Sequence, residues 1–269
     1  MNATGGADRC DEDQFSQPVV APDGTIYVSF LNEQRVGDGQ FRDQVLVVKS
    51  ADGGETWSSP TPATPLIHDG AKDYPLNSDG RQRLTGCAYR VNASGALAVA
   101  ATGQLYLTYT ENKNPGVGPT QTDIMVVTST DGGATWSPPI TVNASAKDQI
   151  YSWATVGTDG KLRVGYIDHA RRGPSGQTCV YGYTLSTATT AGGTTFTNDR
   201  LESAVSIASD SRWFRTSSAD HNTRFIGDYF NVTTSPDGRT WADWTDMRET
   251  VTLFGSTGKD EDTVVAVHP

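Results

Sequence analysis

Short apolar stretches joined by glycine-containing turns recur along the whole chain. Four segments share one pattern: a short apolar run, a tight turn containing glycine, and a run in which β-branched and aromatic residues alternate with others. This pattern is typical of a β-hairpin. Glycine and proline recur too often for an apolar helical face to survive between them, so the sequence predicts strands. The four hairpin segments are residues 18–32, 97–112, 154–169 and 231–246.

A third strand, and in three cases a fourth, follows each predicted hairpin. The third-strand segments are residues 44–50, 124–130, 179–185 and 263–269, and the fourth-strand segments are residues 64–67, 139–142 and 200–207. The unit is therefore a four-stranded antiparallel meander, and repeated sheets of this kind predict the blades of a β-propeller. The predicted fold class is all-β, with one domain over residues 1–269. The expected blades cover approximately residues 16–68, 95–143, 151–207 and 228–269.

One eight-residue motif, which we call the box, occurs twice: as SADGGETW at residues 50–57 and as STDGGATW at residues 129–136. Both copies lie between the predicted third and fourth strands. The paired glycines allow the positive φ of a tight turn, the aspartate can accept backbone N–H groups, and the tryptophan can bury a large apolar face. We therefore predict a structural turn in both blades, with a degraded copy at residues 186–196. The similar SPDGRTW at residues 235–241 falls at the hairpin turn of its unit instead.

The S-x-D-G-G-x-T-W box resembles the Asp-box, or BNR repeat, of sialidases and of the wider sialidase-like propellers. Residues 17–30, 166–172, 225–230 and 241–248 also read like secreted bacterial propellers of this type. The resemblance implies a secreted six- or seven-bladed propeller that acts on glycans as a glycoside hydrolase. The alternative is a non-catalytic propeller that binds carbohydrate or protein through the same loops. The Arg-Ile-Pro signature of the family is absent, so the family motif assigns a catalytic role to no residue of this sequence.

The long, charged loops lie between the second and third strands and between one unit and the next, which places them at one face of a propeller. Loops on a rigid scaffold are where binding residues are usually found. Sialidases use a tyrosine nucleophile and acidic residues for acid/base chemistry, unlike the two carboxylates of most glycosidases. The residues of those types in the loops, the candidate catalytic residues, are Tyr229, Asp228, Asp168, Asp246 and Glu249. The alternative role for Asp168 and Asp246 is to cap loop backbone.

Arginine forks suit the carboxylate of an acidic sugar because a guanidinium binds it through two parallel hydrogen bonds. Aromatic side chains suit the rest of a glycan. The candidate substrate-binding residues are Arg171, Arg172, Arg224, Arg248, Tyr151, Trp153 and His169. The alternative for the arginines is an ordinary ion pair at the surface. Because the formal net charge is −10, capture of an acidic glycan would depend on these local forks.

Charge and hydropathy exclude other partners. No run of lysine and arginine forms a basic stripe, which argues against nucleic acid, and the longest apolar stretch is far too short to cross a membrane. The four histidines are scattered and form no metal or triad motif. No cofactor and no catalytic metal are therefore expected. The acidic segments at residues 10–14 and 258–262 leave structural calcium open.

Three cysteines allow one disulfide at most. Cys10 and Cys87 lie in predicted loops, whereas Cys179 begins an apolar strand, so the expected bridge is Cys10–Cys87 with Cys179 as a buried thiol. The last unit ends at its third strand. The sequence therefore predicts fifteen strands, whereas four complete blades would contain sixteen. Either residues before Gln17 supply the missing strand, or the chain is the C-terminal part of a larger propeller whose open edges pair with another chain.

Overall fold

The computed structural model describes residues 12–36, 40–70, 73–77, 80–116, 118–143, 145–169, 179–201, 206–207, 226–227, 230–253, 255–260 and 262–269. Every regular element in these ranges is a β-strand. No helix of the described chain is long and apolar enough to cross a membrane. Residues Cys10, Arg171, Arg172, Arg224, Asp228 and Tyr229 lie outside the described ranges.

The first two sheets are four-stranded antiparallel meanders. Sheet 1 contains β1 (Glu12–Val20), β2 (Ile26–Val36), β3 (Gln40–Ser50) and β4 (Thr61–Pro62), in that order. Sheet 2 contains β5 (Leu97–Val99), β6 (Leu105–Asn112), β7 (Thr122–Ser129) and β8 (Ile140–Asn143), also in order. Each strand pairs with the next along the chain because a short turn can join only antiparallel neighbours.

Sheet 3 repeats the meander, and sheet 4 has three strands among the described residues. Sheet 3 contains β9 (Gln149–Val156), β10 (Leu162–Asp168), β11 (Val180–Ala188) and β12 (Phe196–Arg200), with β13 (Ser206–Ile207) also on β11. Its fourth strand therefore begins at Phe196, earlier than the predicted residue 200. Sheet 4 contains β14 (Asn231–Thr234), β15 (Thr240–Asp246) and β18 (Asp262–His268). A separate hairpin, β16 (Thr250–Leu253) and β17 (Ser256–Lys259), lies between β15 and β18 in sequence.

An apolar core fills each space between consecutive sheets. The core between sheets 1 and 2 includes Leu31 and Leu107, and the core between sheets 2 and 3 includes Tyr106 and Val164. A third core joins sheets 3 and 4. The first strands contact one another in turn, β1 with β5, β5 with β9 and β9 with β14. The sheets therefore follow one another around an axis lined by their first strands.

Both boxes close the turn between the third and fourth strands of their sheets with the same hydrogen bonds. In the first, Asp52 Oδ1 accepts from Ser50 Oγ at 2.7 Å and from Thr56 N at 2.9 Å. In the second, Asp131 Oδ1 accepts from Ser129 Oγ at 2.8 Å and from Thr135 N at 2.9 Å. Hydrogen bonds from the threonines, largest among the causes, lower the pKa of both aspartates to about 2. These contacts are those of a structural turn.

The tryptophans of the two boxes differ in burial. Trp136 is half-buried and packs against the core between sheets 1 and 2. Trp57 is 37% exposed and, unlike Trp136, is not part of an apolar core among the described residues. The second box also lies against Tyr27 of sheet 1.

The disulfide joins Cys87 to Cys179 across 92 positions of sequence. The predicted Cys10–Cys87 bridge with a free Cys179 is therefore wrong. The pairing follows from the path of the segment after sheet 1, which we call the cap and which comprises described residues 73–77 and 80–91. Leu84, Cys87 and Tyr89 of the cap pack in the core of sheets 3 and 4, and this places Cys87 beside the start of β11.

Candidate functional site

We call the sheet edge on which the cap lies the rim. At the rim, each second strand carries a polar residue at the same position. The sixth residue after the first residue of each second strand is Asn32 in sheet 1, Glu111 in sheet 2, Asp168 in sheet 3 and Asp246 in sheet 4. Asn32, Asp168 and Asp246 are buried. Since buried polar side chains require hydrogen-bond partners, their contacts decide what these groups can do.

Asp168 bonds to side chains of its own sheet. Its Oδ1 accepts from Gln149 Nε2 on β9 at 3.3 Å, and its Oδ2 accepts from Thr184 Oγ1 on β11 at 3.2 Å. The carboxylate therefore joins three neighbouring strands where β10 ends. These two contacts stabilise the sheet edge.

Asp246 holds Arg248 in an ion pair at the rim of sheet 4. Arg248 Nε donates to both carboxylate oxygens, at 2.8 and 2.7 Å, and Ser206 Oγ donates to Oδ1 at 2.6 Å. Lys259 of β17 donates to the Arg248 carbonyl at 2.6 Å. The guanidinium is partly exposed, and the buried Asp246 carboxylate fixes its orientation through Nε.

His169 lies in an aromatic cluster under the cap. Its Nδ1 donates to the Val180 carbonyl at 2.9 Å, because a carbonyl can only accept, and Tyr89 O–H then donates to Nε2. Burial lowers the pKa of His169 to about 4, so the ring is neutral at pH 7. Burial raises the pKa of Tyr89 well above its usual value. This phenol remains protonated and donates, and the pair therefore stabilises the cap.

Tyr151 and Trp153 line a recess on the axis, where the first strands of the sheets meet. The described lining includes the aromatic side chains Phe15, Tyr151, Trp153 and Phe230, and the polar side chains Ser16, Gln17, Ser94 and Ser152. Gly95 completes it. A Cβ at Gly95 would lie 1.6 Å from the Thr108 carbonyl oxygen, so glycine is required there. None of these nine described residues carries a charge.

A one-residue irregularity in the first strand shapes the recess in three sheets. The register of β1 with β2 shifts between Gln14 and Gln17, and that of β9 with β10 shifts between Ile150 and Trp153. In sheet 2, the hydrogen bonds from Thr108 N to the Ala96 carbonyl and from Thr110 N to the Ala93 carbonyl imply the same shift. Such bulges redirect side chains, here toward the axis.

Two lining residues have strained backbone. Phe15 and Tyr151 occupy the same position of their bulges, and both have φ of 56°. Positive φ is unfavourable for a bulky residue other than glycine. The hydroxyl of Tyr151 donates to the Arg90 carbonyl of the cap at 2.6 Å, and its ring stacks on Phe230 at 5.4 Å. The bulge thus connects the cap to the recess.

The remaining candidates are dispersed or undescribed. Glu249 is exposed, and its backbone carbonyl accepts from Asp260 N. Its side chain is not among the lining residues of the recess. Arg171, Arg172, Arg224, Asp228 and Tyr229 fall outside the described residues. The structure therefore brings together Tyr151 and Trp153, while Asp168, Asp246, Arg248 and His169 form separate contacts at the rim.

Two further buried carboxyl groups lie at the rim, Asp43 and Asp148, and the sequence points to Asp148 because it lies in a predicted rim loop. Burial raises the pKa of Asp43 to about 6, with a hydrogen bond to Asp69 opposing the shift. Burial also raises the pKa of Asp148 to about 6 against hydrogen bonds from Thr122 and Thr120. No group of three or more His, Cys, Asp or Glu within the described ranges is arranged to hold a metal. The lining residues Phe15 and Gln17 were missed, because a bulge leaves little trace in a sequence pattern.

No protein-family model and no curated protein matches the chain. Several solved structures are similar to the chain. A protein of unknown function from Dyadobacter fermentans is 16% identical with a TM-score of 0.54, covering 88% of this chain and 58% of its own. The leech intramolecular trans-sialidase is 12% identical with a TM-score of 0.51, covering 93% and 50%. The Penicillium chrysogenum α-L-arabinanase is 16% identical with a TM-score of 0.51, covering 95% and 62%.

The chain is a β-propeller. Its sheets are blades of antiparallel strands, and its recess lies on the propeller axis. At these identities the likeness concerns the fold alone. The chain spans between half and about three fifths of the length of those three structures.

Proposed function

We propose that this propeller binds a carbohydrate in the axial recess. The observation that carries the proposal is the composition of the lining, which combines four aromatic side chains with four hydroxyl or amide side chains from different blades. Aromatic surfaces with a few convergent polar groups are typical of small-molecule sites. The leech trans-sialidase and the Penicillium arabinanase act on glycans by their names, which supports a glycan ligand for this propeller.

Backbone strain supports the same site. Phe15 and Tyr151 each adopt positive φ at a bulge that faces the recess. Strained residues cost on the order of 1–3 kcal/mol and cluster at binding and catalytic sites. The same strained bulge in two blades supports a role in shaping the recess.

The lining favours an uncharged sugar ring. An acidic sugar would require a cationic partner, but the nine described lining residues are neutral and Arg248 is paired with Asp246. We therefore propose a neutral pyranose or furanose unit in the recess. Acidic-glycan binding, the expectation from the sialidase-like resemblance, would rest on Arg171, Arg172 and Arg224.

Glycoside hydrolysis is the second candidate function. It is supported by the glycan-active enzymes named among the similar structures, and Asp148, a buried rim carboxyl whose pKa burial raises to about 6, is the candidate general acid. Secretion is proposed as well. A disulfide joins the cap to the third blade, and such bonds persist in oxidising compartments.

Trp153→Ala tests the proposal, with Trp57→Ala as the matched control. Trp57 lies in a box turn on the face opposite the rim. A glycan array and titration calorimetry on its best neutral hit should show that Trp153→Ala weakens binding about tenfold or more, while Trp57→Ala leaves it unchanged. Equal losses, or binding of acidic glycans alone, would refute the proposed site. A panel of chromogenic glycosides, run with Asp148→Asn, decides between binding and hydrolysis.

A further inference from the structure

Gln17 of blade 1 has a fixed orientation in the recess. Its Oε1 accepts a hydrogen bond at 2.8 Å from the backbone N–H of Leu97, the first residue of β5 in blade 2. A backbone N–H can only donate, so this contact assigns the carbonyl end of the side chain to Leu97. The amide nitrogen, Nε2, donates to no described residue. Because Gln17 lines the recess, it offers a hydrogen-bond donor there.

Ser152 of blade 3 offers a hydrogen-bond acceptor to the same recess. Its Oγ donates to Thr108 Oγ1 at 3.0 Å, and the Thr108 hydroxyl donates in turn to the Ala96 carbonyl at 3.4 Å. The single hydrogen of the Ser152 hydroxyl is therefore used within the fold. Its lone pairs accept from no described residue, so this lining residue can accept a hydrogen bond from a ligand.

The aromatic side chains form an apolar wall beside these two polar groups. The Tyr151 hydroxyl donates to the Arg90 carbonyl of the cap, so the ring contributes its carbon atoms to the lining. Tyr151 stacks on Phe230, and Phe15 and Trp153 add two more aromatic surfaces. The recess contains about 400 Å³ of empty space, part of it open to solvent. This is within the range of small-molecule sites.

We propose that the recess binds a neutral sugar that carries an acetamido group, as an N-acetylhexosamine does. The inference rests on the proposed binding of a carbohydrate in the recess, and it names the class of sugar. The acetamido carbonyl accepts from Gln17 Nε2, and the acetamido N–H donates to Ser152 Oγ. The methyl group packs on the aromatic wall. Each part of the group thus meets a side chain of matching chemistry.

The donor at Gln17 distinguishes an acetamido group from a hydroxyl. An amide carbonyl only accepts, whereas a hydroxyl both accepts and donates. Gln17→Glu keeps one acceptor for the Leu97 N–H and places a second acceptor where Nε2 was. A sugar hydroxyl can donate to that new acceptor, but an acetamido carbonyl cannot. Gln17→Glu should therefore remove the preference for the acetamido sugar without preventing the binding of its hydroxyl analogue.

Two pairs of methyl glycosides test the proposal by ligand-observed NMR titration at pH 7. The pairs are the N-acetylglucosaminide with the glucoside and the N-acetylgalactosaminide with the galactoside, which differ only in acetamido against hydroxyl. The wild type should bind the acetamido member of at least one pair about tenfold more tightly, and Gln17→Glu should lower that affinity about tenfold without weakening the partner. The matched control is Gln14→Glu, which adds the same charge to β1 outside the described lining. It should behave as the wild type does.

Equal affinities within both pairs, or tighter binding of the hydroxyl members, would overturn the acetamido inference and leave carbohydrate binding standing. So would a Gln17→Glu variant that keeps the wild-type preference or weakens both members of a pair equally. Wild-type binding of a different neutral sugar alone, lost in Trp153→Ala, would also refute only this inference. Binding of no neutral sugar would refute the proposed function as well. The wild-type comparison needs no variant, and circular dichroism confirms that each variant is folded.

Discussion

At the rim, polar side chains bond to one another at the positions where catalytic groups were expected. Asp246 pairs with Arg248, Asp168 joins three strands, and His169 is a neutral acceptor for Tyr89. A buried carboxylate or imidazole with such partners stabilises the fold. Among the described candidates, Tyr151 and Trp153 reach the recess. The described lining offers stacking and neutral hydrogen bonding.

Asp43 should make stability depend on pH. Its folded pKa of about 6 lies above the usual value of an aspartate, so the folded chain holds the proton more tightly and the free energy of unfolding falls as pH rises from about 4 to about 6. Asp43→Asn should remove this fall, which is about 2–3 kcal/mol by the size of the shift. Urea unfolding at a series of pH values measures it. The exposed Asp262→Asn is the control, and an unchanged pH profile in Asp43→Asn would contradict the prediction.

At the scale of elements, the turn box and the bulge are the two repeated devices. The box closes the third turn of blades 1 and 2 through the same aspartate contacts. The bulge interrupts the first strand of blades 1, 2 and 3 and lines the axis. The box fixes the path of the outer strands, and the bulge shapes the centre of the propeller.

The two box tryptophans should differ in their effect on stability. Trp136 packs on the core between blades 1 and 2, whereas Trp57 is 37% exposed. We expect Trp136→Ala to lower the free energy of unfolding by about 3–4 kcal/mol and Trp57→Ala by about 2 kcal/mol, because only Trp136 packs on an apolar core. Urea denaturation at pH 7 measures both. Equal losses would show that the box hydrogen bonds, and not the packing of the ring, govern stability.

At the scale of the whole molecule, the cap connects parts that are distant in sequence. It follows blade 1 along the chain, yet its apolar residues pack with blades 3 and 4. The Cys87–Cys179 disulfide closes this connection. Because the cap also accepts the hydrogen bond of Tyr151 at Arg90, it supports the bulge that lines the recess.

Loss of the disulfide should destabilise the whole propeller. The bridge spans 92 positions, and closing a loop of that length removes a large conformational entropy from the unfolded chain, worth about 3–5 kcal/mol. The Cys87→Ser, Cys179→Ser double variant should unfold at correspondingly lower urea. Reductant should weaken the wild type to the same level and leave the double variant unchanged. A wild type insensitive to reductant would rule out this bridge as a source of stability.

Much of the fold was predictable because it is local. The four hairpins, the third strands and the box turns come from alternation and glycine positions within short windows, and the all-β propeller class is confirmed. The fourth strands of blades 1 and 3 were placed too late, because Thr61–Pro62 and residues 197–199 lack apolar side chains in alternation. Of the candidate site residues, Tyr151 and Trp153 line the recess. Phe15 and Phe230 were not proposed, since nothing local marks a strand residue that faces an axis.

The sequence by itself determined the repeating meander, the turn chemistry and the absence of a basic stripe, because each depends on residues close together in the chain or on composition. The tertiary structure alone decided the partner of Cys87, the pairing of Arg248 with Asp246, and the joining of three bulges into one recess. The partner of Cys87 and the recess depend on segments far apart in sequence that packing brings into contact. The Arg248–Asp246 pair depends on the direction of two side chains at the end of β15. A local sequence pattern specifies neither long-range packing nor side-chain direction.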